Sequence, residues 1–402
     1  MKTKIVRMLA AILALSGVLS TSCASKSTER VILGDEQFDE YLPLTEGQRV
    51  AIFSNQTGLV GNTGTHILDT LIARGVNVTA IFSPEHGFRD LADDGSHVAD
   101  GVEPVTGVPI LSLYGGAGGN HPTAEAMDMF DVLIVDIQDV GLRFYTYYIT
   151  MCHLMDACAE SGKHMILLDR PNPNGMYVDG PVLDMSLRSG VGHLPIPTVH
   201  GLTLGELARM AQGEKWLEAG NNCRLTVIPC KNYTHQTLYE LPVRPSPNLP
   251  NMQAIYLYPS LCGFEGTVVS LGRGTDKPFQ QYGHPAFKGK YGYSFTPRSV
   301  KGSSNPPLLG QECFGVDLSA LSQKEIREKK MDLSYIISAY SIMKEQGQEA
   351  GFFRRFFDLL MGQRYIREMI ENGATEPEIR ARWQADVDAF LLQRRPYLLY
   401  EE

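Results

Sequence analysis

The sequence predicts an α/β protein: a mainly parallel sheet domain followed by a smaller α+β domain. Three observations carry this. Short apolar runs alternate with amphipathic helical stretches through the first half of the chain, the pattern of right-handed βαβ units. Those runs end in Gly-, Asn- or Pro-containing loops dense in polar groups. Past about residue 215 the rhythm gives way to Pro- and Gly-rich crossings and then to helices. The expected division is 1–23 as a leader, 31–220 as the sheet domain and 221–402 as the smaller one.

In order, residues 49–54 read as a first strand closed by Asn55-Gln56-Thr57-Gly58, and 66–74 as a helix. A second strand, 78–82, stops at Ser83-Pro84, because proline cannot donate to a ladder and forces its predecessor extended. Glu85 and His86 follow directly, and Gly87 permits a sharp turn. A third strand covers 108–114, and a short helix over 123–130 starts on Thr123. A fourth strand, 132–136, leads through Gln138 and Asp139 to a long helix over 145–161. A fifth, 164–168, is closed by Asp169-Arg170-Pro171-Asn172-Pro173-Asn174-Gly175, and a helix over 202–212 has Thr203 as its cap. In the second half, 224–229, 254–258 and 267–270 read as strands, 288–308 as a long loop or hairpin, and 331–345, 353–362 and 376–392 as helices.

The 402 residues, 43% hydrophobic and 20% charged, suit two packed cores. The formal charge is −9, and it becomes −12 without Lys2, Lys4 and Arg7. That argues against nucleic acid or an anionic membrane surface as a partner. Those three cations, the apolar run 8–19 and Ser20-Thr21-Ser22 form a leader, too short for a comfortable membrane span. Cys23 after small residues resembles a lipoprotein cleavage site, so an exported protein tethered by one lipidated cysteine is expected. The six remaining cysteines lack zinc or CxxC spacing. Cys152 and Cys158 share one predicted helix about 9 Å apart, too far to bond. Free buried thiols are the expectation, with neither metal nor cofactor.

A nucleotide fold is disfavoured. Gly58, Gly61 and Gly64 are spaced G-x-x-G-x-x-G, and the glycine run at 115–119 lacks a P-loop lysine. In an open α/β sheet, ligands bind at the carboxyl ends of strands. The candidates there are Glu85 and His86, Asn55 and Gln56, Asp139 and Arg143 with Tyr145 and Tyr147, then Arg170, Asn172 and Asn174, and His200. The second domain adds Asn248, Glu265, Arg273 and Asp276, glycine-punctuated like a recognition surface.

Seven stretches, SNQTG, SPEHGF, DIQDVGLRFYTY, DRPNPNG, HGLTLGELA, PSPNLP and FEGTVVSLGRGTDKPFQ, occur in this order. Together they resemble the NamZ-type exo-β-N-acetylmuramidase family across essentially the whole mature chain. The resemblance implies a Rossmann-like domain beside a smaller one with the active cleft between them. It also implies release of terminal N-acetylmuramic acid from the non-reducing ends of peptidoglycan fragments. Glycoside hydrolysis usually needs one carboxylic acid and a second group acting as nucleophile or base. Glu85, with His86 beside it, suits the acid; Glu265 and Asp139 compete for the second role, which the sugar's own acetamido oxygen could also fill. The lactyl carboxylate of muramic acid calls for an arginine, with Arg273 first and Arg143 as fallback. A tethered sugar-binding protein without catalysis is the alternative.

Overall fold

The computed structural model describes residues 29–84, 87–88, 100–113 and 121–402. Seven strands form the main sheet: β1 Arg49–Ser54, β2 Asn77–Ser83, β3 Gly101–Val102, β4 Pro109–Ser112, β5 Val132–Asp136, β6 His164–Leu168 and β7 Arg224–Ile228. Their spatial order is β3-β4-β2-β1-β5-β6-β7. Every neighbouring pair is parallel except β3 with β4. The expected sheet is therefore present, with 224–228 closing its far edge.

Strand periodicity divides the core. Ala51, Phe53, Phe82, Leu133, Val135, Met165 and Leu167 face one side and join a large cluster. Val50, Ile52, Ile81, Ile134, Ile166 and Leu168 face the other and pack on Ile67, Leu68 and Leu71. Helices α1 Phe38–Tyr41, α2 Ile67–Ala73, α3 Ala124–Met127, α4 Tyr147–Glu160 and α5 Leu204–Gly213 accompany the strands. Local chemistry sets their starts. Thr123 accepts from the Ala126 N–H, and Thr203 and Glu206 form a reciprocal capping box on α5.

The smaller domain holds an antiparallel sheet, β8 Gln281–His284, β9 Tyr293–Phe295 and β10 Cys313–Asp317, in order β8-β10-β9. Around it lie α6 Met252–Leu261, α7 Gln323–Lys329, α8 Ser334–Glu345, α9 Arg355–Met361, α10 Tyr365–Glu371 and α11 Glu376–Arg394. One expectation fails here: 254–258 is not a strand but the middle of α6. Asn251 caps that helix, accepting from the Ala254 N–H at 3.0 Å. Nearly every α6 residue is buried, so no polar face betrays a 3.6-residue period. The strand expected at 267–270 is also absent as a ladder; Thr267 and Ser270 make only isolated bridges, to Phe353 and Gly283.

The six cysteines from Cys152 onward are free and buried, and Cys152 and Cys158 share α4. Among the described residues, no helix is long and apolar enough to cross a membrane.

Candidate active site

The chain runs outward from β1 to β2 and β4 on one side, then crosses back to β5 and continues to β6 and β7. The reversal lies between β1 and β5, and the crevice at their carboxyl ends is where such sheets bind ligands. Asn55 leaves β1 there. Its carboxamide oxygen accepts from the Thr57 N–H and hydroxyl, at 3.0 and 2.6 Å. The Thr57 oxygen accepts in turn from the Gln138 N–H at 3.0 Å. The Asn55 amide donates to the Tyr147 hydroxyl at 2.9 Å. The loops after β1 and β5 are thereby fixed to each other.

A crossing segment closes over this edge. The Pro245 carbonyl accepts from the Tyr145 and Tyr147 hydroxyls at 2.9 and 3.0 Å and from the Gln56 amide at 3.4 Å. The two tyrosine rings meet edge to face, 4.6 Å between centroids. Beyond them opens a cavity of about 700 Å³, within the range of small-ligand sites. The first domain lines it with residues 144–147, Ile149, Thr150 and 189–191, the crossing segment with Ser246, Asn248 and Leu249. The second domain contributes Tyr258, Phe264, Glu265, Thr267, Arg273, Phe279, Arg354 and Phe356. Aromatic walls with a few converging polar groups suit a sugar ring.

Glu265 sits on the turn that follows α6. Arg273 grips one of its carboxylate oxygens through Nε at 2.8 Å and also through Nη2, and the guanidinium lies 5.1 Å over the Phe279 ring. Glycines with φ of +84° and +76°, Gly272 and Gly274, flank Arg273. An ion-paired carboxylate on the cavity wall is a candidate base or nucleophile.

Of the sequence candidates, the structure brings Tyr145, Tyr147, Asn248, Glu265 and Arg273 onto the cavity wall, with Asn55 and Gln56 directly behind. Others stand elsewhere. Arg143 is fully buried and donates to the carbonyls of Pro181, Ile196 and Leu360 at 2.5, 3.1 and 3.0 Å, which stitches the two domains and leaves it off the cavity wall. Arg170 is buried between Asp35 and Asp136, 2.7 Å from each. Asn172 donates to the Leu202 carbonyl and Asn174 to that of Val140, so the DRPNPNG loop is an internal pin. His200 accepts from the Leu202 N–H at 3.2 Å. Burial, with Arg394 and Arg143 nearby, pushes its pKa down to about 3. Asp276 is exposed and does not line the cavity.

Asp139 borders a small separate void with Arg170, Pro171 and Asn172. One of its oxygens accepts from the Gly141 N–H at 2.7 Å, and the other has no hydrogen-bond partner among the described residues. Burial raises its pKa to about 7 against the opposing backbone N–H groups of Gly141, Val140 and Tyr148. Glu85, His86 and Cys23 lie outside the described residues. Sequence reasoning missed Phe264, Phe356 and Arg354; for Arg354 the only signal was an arginine pair inside the aromatic stretch 352–357.

Two family models match the chain: the N-terminal domain of exo-β-N-acetylmuramidase NamZ over residues 50–253, and its C-terminal domain over 256–400. The peptidoglycan β-N-acetylmuramidase NamZ of Bacillus subtilis strain 168 is 34% identical over 388 residues, covering 91% of this chain and 90% of that protein. A crystal structure of a DUF1343 family protein from Bacteroides fragilis NCTC 9343 superposes with a TM-score of 0.85 at 58% identity, over 93% of this chain and all of that one. A second such protein from the same organism gives 0.77 at 28% identity, over 92% and 99%. Both halves match over nearly their full length, and the chain belongs to the exo-β-N-acetylmuramidase NamZ family.

Proposed function

We propose that the protein is an exo-acting glycoside hydrolase that releases terminal N-acetylmuramic acid from the non-reducing ends of peptidoglycan fragments. The observation that carries this reading is the 34% identity to a peptidoglycan β-N-acetylmuramidase over nine-tenths of both chains. The interdomain cavity supports it: it is large enough for a sugar and walled by aromatic rings, and it holds a carboxylate, Glu265, in a fixed ion pair. Glu85 is the proposed acid, delivered from the carboxyl end of β2, and Glu265 the proposed second group. Arg273 holds Glu265 in place.

The direct test is release of chromophore from a para-nitrophenyl β-N-acetylmuraminide by the purified wild type. Turnover supports the hydrolase. A protein that binds the sugar in calorimetry yet releases nothing is a capture protein instead.

Export and tethering through Cys23 complete the proposal, motivated by the basic start, the apolar run 8–19 and the small residues before the cysteine. Cys23→Ala is expected to move the mature chain from the membrane to the soluble fraction on cell fractionation. An unchanged distribution removes the basis for a lipid anchor at Cys23.

A further inference from the structure

We infer that Arg354 reads the carboxylate that distinguishes N-acetylmuramic acid from N-acetylglucosamine; the inference rests on the muramidase reading above and assigns its sugar specificity. Among the described residues lining the cavity, only Glu265, Arg273 and Arg354 are charged. Glu265 and Arg273 form an ion pair, Nε to carboxylate at 2.8 Å. Among the described residues, Arg354 makes no side-chain hydrogen bond or ion pair, so it stands as a positive charge on the described wall. That suits a ligand with a single negative charge.

The backbone makes this placement specific. The Arg354 N–H donates to the Gly266 carbonyl at 2.8 Å, and the preceding Phe353 bridges Thr267. The first turn of α9 is pressed onto the turn that bears Glu265. A Cβ on Gly266 would lie 2.3 Å from the backbone N and Cα of Phe357, so only glycine permits the approach. Arg354 is thus registered one residue from Glu265 on an ordered element. The side chain itself is exposed to the cavity mouth. A lactyl ether projecting from the sugar ring meets such a cation at the rim while the ring occupies the aromatic interior.

A guanidinium also matches a carboxylate bidentately, which an ammonium cannot do.

The test compares two muramides, one with a free lactyl carboxylate and one with that group capped as its methyl amide, on wild type, Arg354→Ala and Arg354→Lys. Wild type is expected to prefer the free acid by about tenfold in kcat/KM, the low end for a charge-assisted contact because the site is solvated. In Arg354→Ala that preference collapses toward unity, chiefly through KM, and Arg354→Lys restores part of it. Equal losses on both substrates, or an unchanged preference, overturn the inference, since a merely structural residue does not distinguish acid from amide. Calorimetry with free N-acetylmuramic acid and its amide on the same three proteins reads the same preference without turnover. If wild type hydrolyses neither substrate, the muramidase reading fails while the binding preference still decides the role of Arg354.

Discussion

Glu85→Gln is expected to lower kcat on a chromogenic muramide by at least a hundredfold while leaving affinity for N-acetylmuramic acid and the thermal midpoint nearly unchanged. A positioned general acid contributes about 10²–10⁴-fold, and glutamine keeps the shape of the side chain but has no proton to give. β2 ends at Ser83, beside β1 and next to the reversal of strand order. Pro84 terminates it, and the Gly87 N–H donates back to the Pro84 carbonyl at 3.0 Å. Gly87 has φ +76°, which glycine adopts at little cost. Phe88 is buried, with its ring edge-on to His66 at 5.0 Å. Both ends of the segment are therefore anchored at the sheet's carboxyl edge, where catalytic groups of such folds are placed. Kinetics of Glu85→Gln and Glu265→Gln side by side separate the roles. A loss below about tenfold in Glu85→Gln removes the acid assignment.

How much of this was legible in the sequence depended on whether the deciding interaction was local. The βα rhythm was read correctly because strand ends, caps and apolar alternation are set within a few residues, as at Ser83-Pro84 and Thr203 with Glu206. The middle of α6 was misread because its run MQAIYLYPSL is buried on every side, and burial by distant elements is not written locally. β8 and β10 were missed for a related reason. QYGH and CFGVD each carry a glycine, and the two pair across some 30 residues of intervening chain.

The arginines show the same limit at the site. Arg143, Arg170, Arg273 and Arg354 all sit in loops or near glycine or aromatic residues, yet their fates differ. Arg143 serves three carbonyls, Arg170 two carboxylates and Arg273 holds Glu265, while Arg354 lines the cavity without such a partner among the described residues. Only tertiary packing decides which charge remains available to a ligand. Residue type and loop composition rank the candidates but do not choose among them.

Arg170→Met is expected to destabilise the fold by about 3–5 kcal/mol, the usual loss when one member of a buried ion cluster is removed. Arg170 Nε lies 2.7 Å from Asp136 and its Nη2 2.7 Å from Asp35, and Nη2 also donates to the Leu59 carbonyl at 3.2 Å. It therefore joins the ends of β5 and β6, the loop after β1 and the segment before α1 at one point. All three charged side chains are at most 4% exposed. Burial already raises the Asp35 pKa to about 7, with Arg170 opposing that rise and Asp136 adding to it. Without the guanidinium, two carboxylates face each other in a dry interior. Protonation of Asp35, already favoured by burial, relieves that repulsion, so the deficit is expected to shrink as pH falls from 8 toward 4 and to grow as it rises. Urea unfolding at both pH values measures this. Asp35→Asn in the Arg170→Met background removes one of the stranded charges and is expected to recover part of the loss at pH 8. A double variant no more stable than Arg170→Met alone, with a deficit equal at both pH values, assigns the effect to lost packing of the arginine stem and not to uncompensated charge.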